Sequence, residues 1–222
     1  MFSGISRRNR GPGTGNAGTI EIKARDTIKM SFSGIDTSTQ SEGDAGDIFI
    51  EAGSLEVMDS SVIQSGSSGL FDEDSLFTFG GGKAGTIDIK VRDTFKLSSN
   101  FTGNSHITTS TSGGGDAGDI SIEAGSLEVI GHDRDGSPSR ITSDTRGSGN
   151  GGTIDIKARD TIALSGPETR ISTSTLGSGA GGAIRIDATD IELSNGGIIS
   201  AESSGTDPAG QILINADFCS IN

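Results

Sequence analysis

The sequence predicts an all-β chain: a right-handed parallel β-helix of about six and a half rungs, with three short strands per rung. Three observations carry that expectation. The phrase Ala-Gly-x-Ile-x-Ile, or a close variant, recurs seven times in 222 residues; apolar residues inside it alternate with polar ones; and 36 Gly punctuate the chain. Alternation at a period of two is a strand signal. Recurrence every few tens of residues marks a solenoid, whose units bury an apolar face only by stacking.

The first strand of each unit follows an anchor glycine. The anchors are Gly18, Gly46, Gly85, Gly118, Gly152, Gly182 and Gly210, at intervals of 28, 39, 33, 34, 30 and 28 residues. Isoleucine stands two and four residues after each anchor, and Ala24, Ala52, Ala124, Ala158 and Ala188 extend the same inward face. The outward position between them reads Lys23, Glu51, Lys90, Glu123, Lys157 and Asp187, alternating in sign from rung to rung. Rungs stack about 4.8 Å apart, so this column places opposite charges over one another and sets the register against a one-rung slip. Units one, three and five read Thr-Ile-x-Ile-Lys-x-Arg-Asp-Thr, whereas units two and four read Asp-Ile-x-Ile-Glu-Ala-Gly-Ser-Leu-Glu. A two-rung module is thereby duplicated.

The second strand carries an apolar pair: Ile28/Met30, Leu55/Val57, Phe95/Leu97, Leu127/Val129, Ile162/Leu164 and Ile191/Leu193. Cys219 falls at the same offset and is expected to be a buried core thiol. The third strand opens on a lone Ile (Ile35, Ile63, Ile107, Ile141, Ile171, Ile199) followed by hydroxyl residues such as Thr37-x-Thr39, Thr109-x-Thr111 and Thr173-x-Thr175. Parity with the inward Ile places those hydroxyls inside, which argues against an ice-binding face. The outward column Asp36, Gln64, Thr108, Thr142, Ser172 and Ser200 forms no regular array.

Spacing within strands is constant while two corners vary. Insertions occupy 66–82, between a third strand and the next first strand, and 98–106 and 130–140, between second and third strands on adjacent rungs. Residues 16–222 therefore read as β-helix repeats with these insertions. Residues 1–15 read as part of a preceding rung, because Ser3-Gly4-Ile5-Ser6 repeats Ser33-Gly34-Ile35-Asp36. A repeat cut in this way leads to the expectation of a fragment of a longer chain without a signal peptide of its own.

Composition narrows the function classes. Only 31% of residues are hydrophobic and 4% aromatic, which suits a thin interior with little room for large rings. A formal charge of −13 argues against a protein that tracks nucleic-acid phosphates, and no apolar run suits membrane insertion. One Cys and two His supply neither a disulfide framework nor a metal-ligand spacing, so no cofactor is expected. Asp72/Asp74, Asp133/Asp135 and the Gly-rich stretch 113–119 are weak calcium signals, lacking the spacing of known loops.

Chemistry is expected where the repeat breaks, since loops on a rigid scaffold carry binding residues. One candidate patch combines Phe101, His106, His132, Asp133, Arg134, Asp135 and Arg140 from the paired insertions; the other gathers Phe71, Asp72, Glu73, Asp74, Phe77 and Phe79. The plain alternative is neutral insertion, with the Phe residues covering a side of the helix. Outward carboxylates such as Glu21, Asp88 and Asp155 stand beside Lys23, Lys90 and Lys157 in a repeating pattern, where a catalytic pair would break the repeat.

The repeat phrase Ala-Gly-x-Ile-x-Ile-x-Ala, the Leu/Val pair and Ile-x-Ser/Thr-x-Thr resemble the repeat region of cyanobacterial filamentous haemagglutinin-like exoproteins. Residues 46–57, 118–129 and 182–193 show it best, and the likeness runs from Asn16 to Asn222. Members are two-partner-secretion passengers, so the resemblance implies a β-helical rod outside the cell or on its outer surface. It also implies an outer-membrane transporter as export partner, and cell-surface glycans or proteins as ligands. The expected function is a non-catalytic adhesin-like rod; the alternative is a carbohydrate-active β-helix enzyme, a polysaccharide lyase or hydrolase.

Overall fold

The structure, a computed structural model, describes residues 3–9, 14–40, 42–68, 70–71, 77–78, 81–99, 103–131 and 138–222. Within these residues every regular element is a strand. The inward isoleucines stack one on another: Ile20 pairs with Ile48, Ile48 with Ile87, Ile87 with Ile120, Ile120 with Ile154, Ile154 with Ile184 and Ile184 with Ile212, all in parallel. The third strands stack likewise, from Ser3–Ser6 against Ser33–Asp36 through to Arg170–Thr175 against Ile198–Ser203. The result is a right-handed parallel β-helix of about six turns.

The three expected ladders are present, and two of them merge into one sheet. The third strands form a seven-stranded sheet, while the first and second strands share one twelve-stranded sheet bent at their common corner. Their join is Ala183–Ser194, a twelve-residue strand that pairs through its first half with Thr153–Ala158 and through its second with Thr161–Ser165. Units one, three and five insert an Arg-Asp corner, which breaks the strand in two. Units two and four are one residue shorter but break at Gly53 and Gly125. Unit six is equally short, reads Ala188-Thr189-Asp190 with no glycine, and its strand runs on. Insertion 66–82 contributes a small antiparallel hairpin, Leu70–Phe71 with Phe77–Thr78.

Apolar burial is confined to columns. Ile87, Ile89, Ile107, Leu127, Val129, Ile141, Ile154 and Ile156 are wholly inaccessible to solvent, and so is Phe95, which lies between Leu55 and Leu127. Among the described residues the interior therefore admits one aromatic ring, where composition suggested little room. Cys219 does pair with Ile191, the column expected of it, yet it is exposed.

The hydroxyls of the third strand point inward, as parity requires, and bond mostly to corner carbonyls rather than to one another. Thr109 and Ser143 both donate to the Gly118 carbonyl, at 2.6 and 2.7 Å, and Thr37 and Ser65 treat Gly46 in the same way at 2.6 and 2.7 Å. The second threonine of each pair closes the next bend, with Thr39 donating to Gly43, Thr111 to Gly115 and Thr175 to Ala180. Buried hydroxyls are tolerated because the bend supplies acceptors that strand pairing leaves over. Thr173 is different, since its buried Oγ1 has no hydrogen-bond partner. Thr109→Val should therefore cost about 1–2 kcal/mol, while Thr173→Val should be neutral or slightly stabilising. Urea unfolding of the two variants checks the contrast, and equal losses would refute it.

Aspartates perform a parallel task at the outer edge of the same bend. Asp44 accepts the backbone N–H of Lys83, and Asp116 that of Asn150; Asp47 accepts from Thr86, and Asp119 from Thr153, at 2.6–2.9 Å. The Asn150 bond, aided by Lys83, holds the Asp116 carboxyl below its ordinary range. Within the Gly-rich stretch 113–119, both carboxylates thus tie one rung to the next.

Candidate functional site

Two faces carry the outward side chains. On the first-strand face the charge column stacks as expected: Lys23 beside Glu51, Glu51 beside Lys90, Lys90 beside Glu123, Glu123 beside Lys157 and Lys157 beside Asp187. The closest ion pairs nevertheless lie within strands, on side chains two residues apart. Lys23 meets Glu21 at 2.8 Å and Glu51 only at 4.0 Å; Lys90 meets Asp88 at 3.8 Å and Lys157 meets Asp155 at 3.7 Å. Two residues along a strand bring side chains to the same face, and a flexible lysine folds back more readily than it spans to the next rung. Such exposed pairs contribute little each.

The corner beyond this column explains the two-rung module. Arg92 and Arg159 belong to the odd units, and their guanidinium groups lie over Gly53 and Gly125 of the even units. A Cβ at those glycines would come within 2.9 and 2.8 Å of the arginine Nη2 atoms. Arg159 Nη2 donates to the Arg92 carbonyl. Arg92 is also paired with Asp93 at 2.8 Å, which raises the arginine pKa and lowers that of Asp93. The Arg-Asp and Gly-Ser corners are thus two halves of one fit, repeated along a shallow groove of roughly 650 Å³ lined by Lys90, Arg92, Glu123, Lys157 and Arg159.

The third-strand face is irregular. His106, Arg140 and Arg170 each open a strand and sit in register on three successive rungs, between Val62 below and Ile198 above. His106 and Arg140, expected within insertions, are strand residues at the mouths of those insertions. The insertion bases are joined: Ser99 Oγ donates to the Pro138 carbonyl at 2.9 Å and lies 3.0 Å from Ser139 Oγ, and Ser139 donates to Ile130 at 2.6 Å. Glu168, turned into the left-handed region at φ 54°, stands 3.6 Å from Arg140 and 4.0 Å from Arg170. Arg140 Nε is buried without a hydrogen-bond partner, although the side chain as a whole is 37% exposed.

Alongside runs the column that starts at Asp36. Asp36 is paired with Arg8 at 3.2 Å and accepts from Gln64 at 2.6 Å; Thr142 donates to Thr108 at 3.1 Å. Arg8, Asp36, Gln64, Asn104 and His106 line a groove of about 490 Å³. Farther along the strands, burial raises the Asp144 carboxyl above its ordinary range, against the lowering effect of its bonds from Ser174.

Burial pushes the His106 imidazole below its ordinary value, with the Arg140 charge acting in the same direction and a backbone bond to Asn104 opposing. A depressed histidine pKa means that the folded chain resists a proton which the unfolded chain accepts near pH 6.5. Its contribution to stability is present above about pH 6.5 and is lost as pH falls from there toward the folded value. Asp144 acts oppositely and at lower pH, its raised pKa favouring the folded chain as the carboxyl protonates. His106→Gln should flatten the melting temperature between about pH 7.5 and 5.5. An unchanged slope in that variant would show that His106 takes up its proton alike in the folded and unfolded chain.

Of the remaining expected site residues, Phe71 and Phe77 face each other in the hairpin as backbone partners. Asp72, Glu73, Asp74, Phe79, Phe101, His132, Asp133, Arg134 and Asp135 lie outside the described residues. Arg170 and Glu168 escaped the sequence reading, although Arg140-Ile141 and Arg170-Ile171 share a visible signal: an arginine immediately before the inward isoleucine. Among the described residues no group of three His, Cys, Asp or Glu could hold a metal ion, and no helix is long and apolar enough to cross a membrane.

Fold and face together define a β-solenoid with regular structural ladders on one side and a guanidinium-rich, repeat-breaking surface on another. Comparison of the chain with family models, curated proteins and solved structures finds no match.

Proposed function

We propose that this chain is a non-catalytic, surface-exposed or secreted rod of the two-partner-secretion passenger type, which binds glycans or proteins of cell surfaces through its third-strand face and inserted loops. The observation that carries the reading is the coincidence of His106, Arg140 and Arg170 with the corner where insertions gather. Elsewhere the charged residues follow the repeat and have stacking partners; here two arginines share one carboxylate and one of them keeps a buried, unpartnered Nε. Guanidinium groups offer planar, paired donors that match carboxylates of acidic sugars or of acidic side chains. Export would employ an outer-membrane transporter as partner.

A glycan array that includes uronate- and sialate-bearing oligosaccharides tests the proposal. Binding should fall at least about tenfold in Arg140→Gln/Arg170→Gln, since loss of a charged hydrogen bond costs about 1.5–3 kcal/mol. Deleting the central part of insertion 66–82 should weaken binding further. Binding left intact by all these changes would exclude this face. Release of new reducing or unsaturated ends from a bound polysaccharide would instead establish the carbohydrate-active alternative.

A further inference from the structure

The alternation that sets register within one chain also gives the first-strand face a symmetry. Its outward column is +, −, +, −, +, − over six rungs, from Lys23 to Asp187. Asn215 on the seventh rung adds no charge, and an alternating column inverted about a point midway between two rungs becomes its own complement. We propose that this face is the interface of an antiparallel pair of two copies of this chain, related by a two-fold axis lying along the strand direction between the third and fourth rungs.

That axis keeps each column facing itself while inverting rung order. Lys23 then meets Asp187 of the second copy, Glu51 meets Lys157, and Lys90 meets Glu123, each contact occurring twice. Neighbouring columns obey the same inversion. Glu21 meets Arg185, while Asp88 meets Ser121 and Phe49 meets Asp155, so no like charges coincide. At the corner, Arg92 comes opposite Gly125 and Arg159 opposite Gly53, so no two arginines coincide. These residues are at the surface: the Lys23, Glu51, Lys90 and Lys157 side chains are 55–66% exposed.

Other arrangements fail on charge. A two-fold along the solenoid axis sets Lys against Lys and Glu against Glu on every rung. An antiparallel pair displaced by one rung does the same. A uniformly charged polymer meets attraction and repulsion in alternation along the column, which leaves a second copy as the complementary partner. The face measures about 20 Å across four columns and about 25–30 Å along six rungs, or roughly 500–600 Å² per copy. That area lies at the low end for a specific interface, so the pair is a reversible one. Each chain carries −13, a repulsion screened beyond about 10 Å at 0.1 M salt, while contact pairs are screened less.

Sedimentation velocity at up to about 1 mM chain in 0.1 M salt, where a reversible interface of this size is populated, reads the pair directly. Lys90→Glu sets carboxylate against carboxylate at both central contacts, and Glu123→Lys sets ammonium against ammonium, so each variant alone should sediment as a monomer. Mixed in equal amounts, the two should dimerise again, because every central contact is then between Glu and Lys. Circular dichroism and melting of each variant establish that it is folded before mixing. A monomeric wild-type chain would overturn the proposal, as would dimers that persist in the single variants or fail to return on mixing. Association through the exposed residues of the last rung would survive both substitutions and so reads as the second of those outcomes.

Discussion

Gly118→Ala should destabilise the chain by about 3 kcal/mol or more, the upper range for forcing atoms into a packed site. A Cβ there would fall on the carbonyl oxygen of Gly85 and within 2.8 Å of its carbonyl carbon. Both are backbone atoms of the rung below, held by strand pairing, and neither can rotate away as a side chain would. Relief would need the rungs to separate at a bend where Thr109 and Ser143 also converge on the Gly118 carbonyl. Every anchor from Gly46 to Gly210 meets the preceding anchor in the same manner. Gly114→Ala is the control, for the nearest atom to its Cβ is Ser148 Oγ at 3.5 Å, an ordinary contact. Its effect should stay within about 1 kcal/mol. Thermal and urea unfolding compare the two, and equal losses would show that close stacking is not why glycine stands at the anchor.

Phe95→Ala should cost about 3–5 kcal/mol, by loss of burial together with the cavity left behind. Among the described residues Phe95 is the largest wholly buried side chain, and Leu55 and Leu127 hold its position on the adjacent rungs. Phe95→Leu reproduces what those neighbours already are and should cost under about 1.5 kcal/mol. If Phe95→Leu proved as damaging as Phe95→Ala, the column would be specific for the ring rather than merely filled by it.

The fold was legible because its signal is redundant. Seven anchors with isoleucines at fixed offsets specify strand, face and register together, and a one-residue slip in any unit would turn its isoleucines outward. The pairing of Ser3–Ser6 with Ser33–Asp36 follows from the same logic, read from four residues. The inward course of the threonines followed from parity alone. Less was legible where side chains choose among neighbours. Alternating charge suggested ladders between rungs; Lys29 and Lys96 on the second strands do pair with Glu56 and Glu128 of the next rung, but Lys23, Lys90 and Lys157 each find a nearer carboxylate two residues back on their own strand. Cys219 takes the column that its offset predicts but is exposed, since burial is not fixed by offset along the strand alone.

The candidate site was legible in part. Insertions before His106 and Arg140 marked the irregular side, and register then set the two residues on adjacent rungs. Glu168 was hidden because its role depends on a left-handed backbone turn that carries its carboxylate to two arginines. The buried Nε of Arg140 depends on packing from several rungs, which no local pattern records.

By itself the sequence determined the class of fold, the face of nearly every repeat residue and the corners that vary, since these depend on alternation and count along the chain. Tertiary structure decided why the anchors are glycine, why Arg-Asp and Gly-Ser corners alternate, and which carboxylate each cation meets. Those outcomes are set by distances between rungs. Two backbones separated by about 4.8 Å leave no room for a Cβ at the bend, and an arginine one rung on can fill the space that a glycine leaves.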